Sequence, residues 1–496
     1  MCHCGAALCF GPHPNLAMQN FIAKQRPVLL AGSAAVETWI ILQCLDLEVS
    51  FATAALCVVG LTALNGLLLV IYLTIIYPVY LSPLRHYPGP KGGHFLFGNF
   101  IKIYGSPPPE PHLSWMNDWP DAPLIRFRGI FNVERIFPCS IEALRKVQVS
   151  DSYDFPKPHD IRKMVERLVG SGILTAEGDE HKRQRKILTP VFSLLHIKGL
   201  LPFFWEKSNL LVTCLRSEVE KNGQGNVIEM QSWLSKATLD IIGVAGFGYE
   251  FDSLHHKSLI VKAFNTIFMP MSFWTQTLNI VNSLVPGIRY LPLKRNREVR
   301  GAVRSLRYIC DELIEDRMLR VAKGQPLGDD IISIVAGQGG FTKEEMIGQM
   351  MTFLAAGHET TATAATWALH LLSNHLNVQE RLRRDVIEAF ASVDGTPDFE
   401  TVDKLKFLSH VMMEVLRYRP PIPVTFRQAK HDSILEGYDI PKGTNITICN
   451  AAIQRDKRLW GPDADEFNPD RWENPPNSNF AFNAFLNGPR SCIGRR

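Results

Sequence analysis

The stretch Phe485-Leu486-Asn487-Gly488-Pro489-Arg490-Ser491-Cys492-Ile493-Gly494 fixes how the remaining chain is read. Two glycines and a proline force a tight loop whose backbone amides can point inward, and these amides with Arg490 favour an anionic sulfur at Cys492. A thiolate presented in this way is a strong, soft ligand for iron. A lone cysteine is otherwise more often a small buried hydrophobe. The weight therefore falls on the coincidence of Phe485, Gly488, Arg490, Cys492 and Gly494, which at ~5% per residue arises by chance roughly once in several million positions.

Working outward, the 496-residue chain is 46% hydrophobic and 21% charged, an ordinary globular composition. Its net charge of +4, from 53 basic and 49 acidic residues, is too thin a margin to imply a nucleic-acid footprint. Ten cysteines are too few for a disulfide scaffold and suit a reducing compartment. The cluster Cys2, His3, Cys4 and Cys9 matches no zinc spacing and reads as an unstructured tail, with metal binding or acylation as the alternative. Long helical patterns are interrupted by short β-like runs at Pro123 to Phe137 and Ile434 to Ile448, which predicts a mainly α fold with small β-sheets, an α+β class.

Thr342 followed by Glu345 is a capping-box signature, and the helical pattern continues without a proline to Asn374. Its middle, Met350 to Leu372, is apolar nearly all round and should run through the core. Inside it stands Ala356-Gly357-His358-Glu359-Thr360-Thr361. A glycine there costs about 1 kcal/mol, and a buried carboxylate costs more unless it is paired. Such breaches of local rules mark either function or a kinked helix whose threonines bond back to their own carbonyls.

With both stretches in view, the sequence resembles the cytochrome P-450 superfamily of haem-thiolate monooxygenases, in a membrane-anchored, eukaryotic or fungal-like form. The resemblance implies haem b with Cys492 as axial ligand, Phe485 beneath the macrocycle and Gly494 allowing close amide approach to sulfur. It implies that Glu359 and Thr360 relay protons to dioxygen. Glu414-Val415-Leu416-Arg417 is similar to the family's Glu-x-x-Arg motif, and Pro469-Asp470-Arg471-Trp472 supplies a second arginine to a structural Glu414, Arg417, Arg471 cluster. Glu142, Glu180 and Glu380 also precede an arginine by three residues, as surface helix pairs do; only Glu414 has the right order along the chain. His181 stands where the family carries a tryptophan, one turn before Arg185. Both can donate to a haem propionate, and Arg427 resembles the strand arginine that meets the other. Lys182, Arg183 and Lys186 form a basic face, either solvated or a docking patch for an acidic reductase.

The first 111 residues organise the chain around a membrane. No charged residue lies between Glu48 and Arg85, ample for a spanning helix. A weaker candidate from Val28 to Leu45 is interrupted by Glu37, which costs roughly 3 kcal/mol at mid-helix. Lys24 and Arg26 before it, and Arg85 and Lys91 after the second segment, favour a hairpin with both outer ends cytosolic; a single anchor, with the first segment at the interface, is the alternative. The expected organisation is a tail at 1–27, a membrane anchor at 28–81, a stiff Pro/Gly-rich tether at 82–111 and a haem-thiolate catalytic domain at 112–496. Phe268, Met269, Met271, Phe273 and Trp274 are an apolar cluster that belongs to the core, a channel or the bilayer.

Family members continue some tens of residues past the haem cysteine, so the resemblance implies that their last elements are missing here. A chain so shortened is expected to bind haem weakly and to have little activity. The expected function is insertion of one oxygen atom from O2 into an apolar small molecule. Electrons would come from NADPH through a cytochrome P-450 reductase, at the endoplasmic reticulum membrane with the domain facing the cytosol. Ala355, Ala356, Val424 and Thr425 are expected neighbours of a lipophilic substrate. The alternatives are an inactive truncated membrane protein and a reductase-independent haem-thiolate isomerase or dehydratase; an intact Glu359-Thr360 pair speaks against the latter.

Overall fold

The computed structural model describes residues 32–43, 50–107, 109–222, 227–256, 259–268 and 293–495. The tail with Cys2, His3, Cys4 and Cys9, the flanking charges Lys24, Arg26, Asp46 and Glu48, and the cluster Met269 to Trp274 lie outside the described residues. The fold is mainly helical with two small sheets. The chain forms two compact units, one of Met1–Pro156 with Val424–Ala452, the other of Lys157–Pro423 with Ile453–Arg496.

The first unit holds the sheets. Strands β1 (Leu124–Arg128) and β2 (Glu134–Pro138) form an antiparallel hairpin with Leu124 opposite Pro138. The turn between them places Phe131 and Asn132 at φ 55° and 53°. Strands β3 (Thr425–Gln428), β4 (Ser433–Leu435), β5 (Tyr438–Ile440) and β6 (Asn445–Ile448) follow much later in the chain. The larger sheet has the order β1-β2-β6-β3, with β6 parallel to β2 and antiparallel to β3, while β4 and β5 form a separate hairpin. The buried face carries Leu124, Ile136, Ile446 and Ile448, and Trp115, Phe127 and Phe137 pack around His112. His112 is buried with no partner for its Nε2, and burial pushes it down to about 4.

Also in this unit, an apolar helix, Phe51–Ile71, has no buried residue and continues into a wider π-helical stretch, Tyr72–Leu81. This is the helix, among the described residues, long and apolar enough to cross a membrane. A helix at 32–43 lies beside it, with Ala34 and Thr38 buried and both carboxylate oxygens of Glu37 accepting from Asn65 Nδ2, at 3.0 and 2.9 Å. The segment read as a tether begins folded onto the sheet: Pro88 O accepts from Arg126 N at 2.8 Å and Tyr87 donates to Asp439 O at 2.5 Å.

The second unit is helical. Its longest helix, Lys343–Asn374, has the predicted capping box, with Thr342 Oγ1 accepting from Glu345 N and Glu345 accepting from Thr342 N. The N-terminal half buries Ile347, Met350, Met351 and Leu354 against Leu239, Ile314 and Val335 from Met230–Phe247, Lys294–Ala322 and Ile331–Gln338. The C-terminal half is less enclosed, and Ala356 and Thr361 reach the surface. Gly357 has a packing reason: a Cβ there would stand 3.1 Å from the Ile242 side chain, closer than ordinary contact, so that side chain would have to shift by a few tenths of an ångström.

Candidate functional site

Of the sequence-selected site residues, Arg427, Val424 and Thr425 belong to the sheet unit and the others to the helical unit. The cysteine loop is closed by Cys492 N donating to Phe485 O at 2.8 Å, and Leu486 and Gly488 turn it with φ 57° and 72°. Phe485 is half-buried, edge-on to Phe482 at 6.3 Å between ring centres. Ile493 packs against the helical core. Cys492 is exposed at the surface, yet enough protein surrounds the sulfur that burial raises its thiol. A hydrogen bond from the Gly494 backbone and the charges of Arg185 and Arg495 oppose that rise. Reading the loop alone assigned this pull to Arg490; in the structure Arg490 is ion-paired with Glu177, and Arg185 takes that place.

The helix Gly178–Leu188 brings its side chains to this loop because the i,i+4 spacing puts His181 and Arg185 on one face. Arg185 Nη1 donates to Ser491 O at 2.5 Å. His181 is buried; burial first, then the charges of Arg490 and Lys157, push it down to about 4, so it is a neutral donor at physiological pH. Glu177, which sequence reasoning passed over, ties the group together: it pairs with Arg490 and accepts from Lys157 N at 3.0 Å. Its signal was its position as the residue before Gly178, at the helix entry. On the outer face Lys182 is paired with Asp179 at 2.8 Å and Arg183 with Glu180 at 2.6 Å, so the expected basic face carries mixed charge.

On the long helix, Thr360 Oγ1 donates to Ala356 O at 2.6 Å and Thr361 Oγ1 to Gly357 O at 2.8 Å. The back-bonding is thus present within a continuous helix. Glu359 is half-buried and accepts from Gln231 Nε2 at 3.3 Å; Thr366 in turn donates to Gln231 Oε1 at 2.7 Å. Gln231, on a helix more than a hundred residues upstream, carries no sequence signal of this contact. His358 is buried, bonded through Nδ1 to Leu354 O at 2.7 Å and edge-on to Phe264; burial lowers its pKa. An apolar cleft lined by Val169, Phe264, Met351, Leu354 and Ala355 lies beside this helix.

Glu414, on Lys406–Tyr418, sits in a fully buried mesh. Arg417 donates to both its oxygens at 2.8 Å, Arg471 Nε to one at 3.0 Å, and Trp472 Nε1 to the other at 3.0 Å. Arg417 also donates to Gln454 O, Ala464 O and Glu466 O at 2.7 to 2.8 Å. The other three Glu-x-x-Arg pairs, at Glu142, Glu180 and Glu380, are exposed i,i+3 ion pairs. Arg427 belongs to the sheet unit, buried in β3 and donating to Phe426 O at 2.8 Å.

A thiol with a backbone donor and Arg185 acting on it, next to a group holding buried Arg490 and neutral His181, is a donor set suited to a soft metal carried by a group with anionic substituents. These residues therefore fit haem. The cytochrome P-450 family model matches residues 88–496, and the chain belongs to that family. Cytochrome P-450 monooxygenase sphH of Aspergillus fumigatus is 37% identical over 462 residues, covering 90% of this chain and 84% of the relative. Cytochrome P-450 monooxygenase FUM15 of Gibberella moniliformis is 36% identical over 487 residues, covering 86% and 82%. The class of enzyme is thus cytochrome P-450 monooxygenase.

Proposed function

We propose that the protein is a membrane-anchored haem-thiolate monooxygenase that inserts one oxygen atom from dioxygen into an apolar small molecule, with electrons delivered from NADPH by a reductase. The observation that carries this reading is the Cys492 loop: burial raises the thiol, but the Gly494 backbone hydrogen bond and the charges of Arg185 and Arg495 work against that rise at a residue that reaches the surface. Haem b, when bound, supplies the redox activation of dioxygen, and thiolate ligation favours O–O cleavage. Cys492 serves as the iron ligand, while His181, Arg185 and Arg490 offer N–H donors to its carboxylates. Glu359, held by Gln231 and partly exposed, would take up a proton from hydronium in the solvent and pass it to Thr360 Oγ1, which would release its own hydroxyl proton inward after leaving Ala356 O. The apolar side chains beside Ala355 would give an apolar substrate a surface to pack against.

Membrane attachment rests on the exposed helix Phe51–Ile71, and the hairpin form on the Glu37–Asn65 hydrogen bonds, because a carboxylate at bilayer depth needs such a partner. A cytosolic domain is supported by the flanking Arg85 and Lys91, and the endoplasmic reticulum is the membrane proposed for it. Incubation with reductase, NADPH, heavy-isotope dioxygen and a panel of lipophilic compounds tests the reading. One heavy oxygen atom per product is expected; substrate conversion without NADPH or isotope would instead establish an isomerase or dehydratase.

A further inference from the structure

The helix Met230–Phe247 lies antiparallel against the long helix Lys343–Asn374, and three contacts set their register. Ile242 lies over Gly357, Thr238 Oγ1 stands 3.0 Å from His358 O, and Gln231 reaches Glu359 and Thr366. Gln231 sits in the first helical turn, which Glu229 caps by accepting from Ser232 N at 2.8 Å, so its backbone is fixed. Glu359, Thr363 and Thr366 stand at i, i+4 and i+7, on one face of the long helix. The Gln231 amide spans that face. Its Nε2 donates to Glu359 Oε1 at 3.3 Å and comes within 3.5 Å of Thr363 Oγ1, while its Oε1 accepts from Thr366 at 2.7 Å.

The other carboxylate oxygen of Glu359 faces His358 Nε2 at 3.7 Å, beyond hydrogen-bond reach. The His358 ring donates through Nδ1 to Leu354 O, and burial keeps it neutral, so Nε2 carries no proton to offer. Among the described residues, the N–H that meets the Glu359 carboxylate is that of Gln231. An amide suits a carboxyl that gains and loses a proton, because it carries a donor and an acceptor side by side. With Glu359 ionised, Gln231 Nε2 donates to the carboxylate and the Thr366 hydroxyl donates to Gln231 Oε1. When Glu359 takes up a proton, the amide turned over accepts the new O–H at Oε1 and donates through Nε2 to Thr366 Oγ1. The Thr366 hydroxyl then donates to Ala362 O, which already stands 2.7 Å away. Every donor has an acceptor in both states, and no proton leaves Gln231.

We propose that Gln231 and Thr366 are positioning residues for proton delivery, a reversible amide and hydroxyl pair that holds Glu359 in one place whether or not it carries the proton. This rests on the reading of Glu359 and Thr360 as the proton relay of a monooxygenase. Both residues act through Glu359.

Two measurements on the full chain test the pair. The first reads the carboxyl without turnover: infrared difference spectra between the parent and Glu359→Gln, recorded as the pH is lowered, isolate the carbonyl stretch of protonated Glu359. That band is expected at the frequency of a hydrogen-bonded acid in the parent and at the higher frequency of a free acid in Gln231→Leu. No such band, or the same frequency in both proteins, would overturn the proposal. The second reads product formed per NADPH consumed, with reductase and a compound that the parent converts. Gln231→Leu should lower this yield about tenfold, the worth of one hydrogen bond to a charged group, with peroxide making up the difference. Thr366→Val should lower it about threefold, and Thr366→Ser should restore it. The carbon-monoxide spectrum should be the same in each. Adding Gln231→Leu to Glu359→Gln should lose nothing further, since the two side chains act as a unit. An undiminished yield in Gln231→Leu beside a loss in Glu359→Gln overturns the positioning role alone; an undiminished yield in Glu359→Gln overturns the relay on which it rests. Additive losses in the double variant would assign Gln231 to helix packing and overturn the proposal as well.

Discussion

Two charged regions of the helical unit are built on opposite plans. Around Glu414 both carboxylate oxygens and every arm of Arg417 end on protein partners, and neither side chain has any exposure. Around Cys492 the residue reaches the surface, and at Glu359 a 3.3 Å hydrogen bond from Gln231 holds a half-exposed carboxylate. The first arrangement spends its polarity on holding the chain together. The second leaves reactive atoms accessible and orders only what surrounds them. The contrast separates structural from chemical roles by how completely a polar group is satisfied, more reliably than by burial or charge alone.

The contrast is sharpest under mutation. Glu414→Ala leaves Arg417 buried without its counter-charge and should cost about 3 to 5 kcal/mol in urea unfolding. A loss no larger than that of a surface pair would remove the structural assignment. His112 is the reverse case, a buried ring without such a mesh. Its folded-state pKa, about 4, lies below the ordinary 6.5, so the folded chain binds fewer protons than the unfolded one between these values. Stability is therefore fully present above pH 6.5 and should fall by about 3 kcal/mol as the pH drops towards 4. In His112→Phe this component of the acid dependence should vanish.

At the open region, Thr360→Ala should leave folding unchanged while product formation falls by about a hundredfold and NADPH oxidation continues, releasing peroxide. Tight coupling in the variant would refute the relay. The smallest effect is expected at Glu380: Glu380→Ala breaks an exposed ion pair and should cost under about 1 kcal/mol. It shares the Glu-x-x-Arg spacing of Glu414, so the pair of variants isolates burial from motif.

Much of this was legible in the chain. Short-range rules gave the Thr342–Glu345 cap, the long helix and the β-like runs, because each depends on residues a few positions apart. Order along the chain singled out Glu414 from its three look-alikes. What escaped notice were partners brought in by tertiary packing: Gln231 on Glu359, Glu177 on Arg490, and Asn132 beneath the anchor helix. The cation nearest Cys492 in sequence also proved a poor guide to the field at its sulfur, since Glu177 engages Arg490 while Arg185 arrives from a helix some three hundred residues away.

The central claim, that Cys492 ligates haem iron, is tested most directly by the carbon-monoxide difference spectrum of the reduced protein beside that of Cys492→Ser. A thiolate-type Soret band in the parent and its loss in the variant are the predicted results, since a neutral hydroxyl donates little charge to iron. The same band in both proteins would contradict the account.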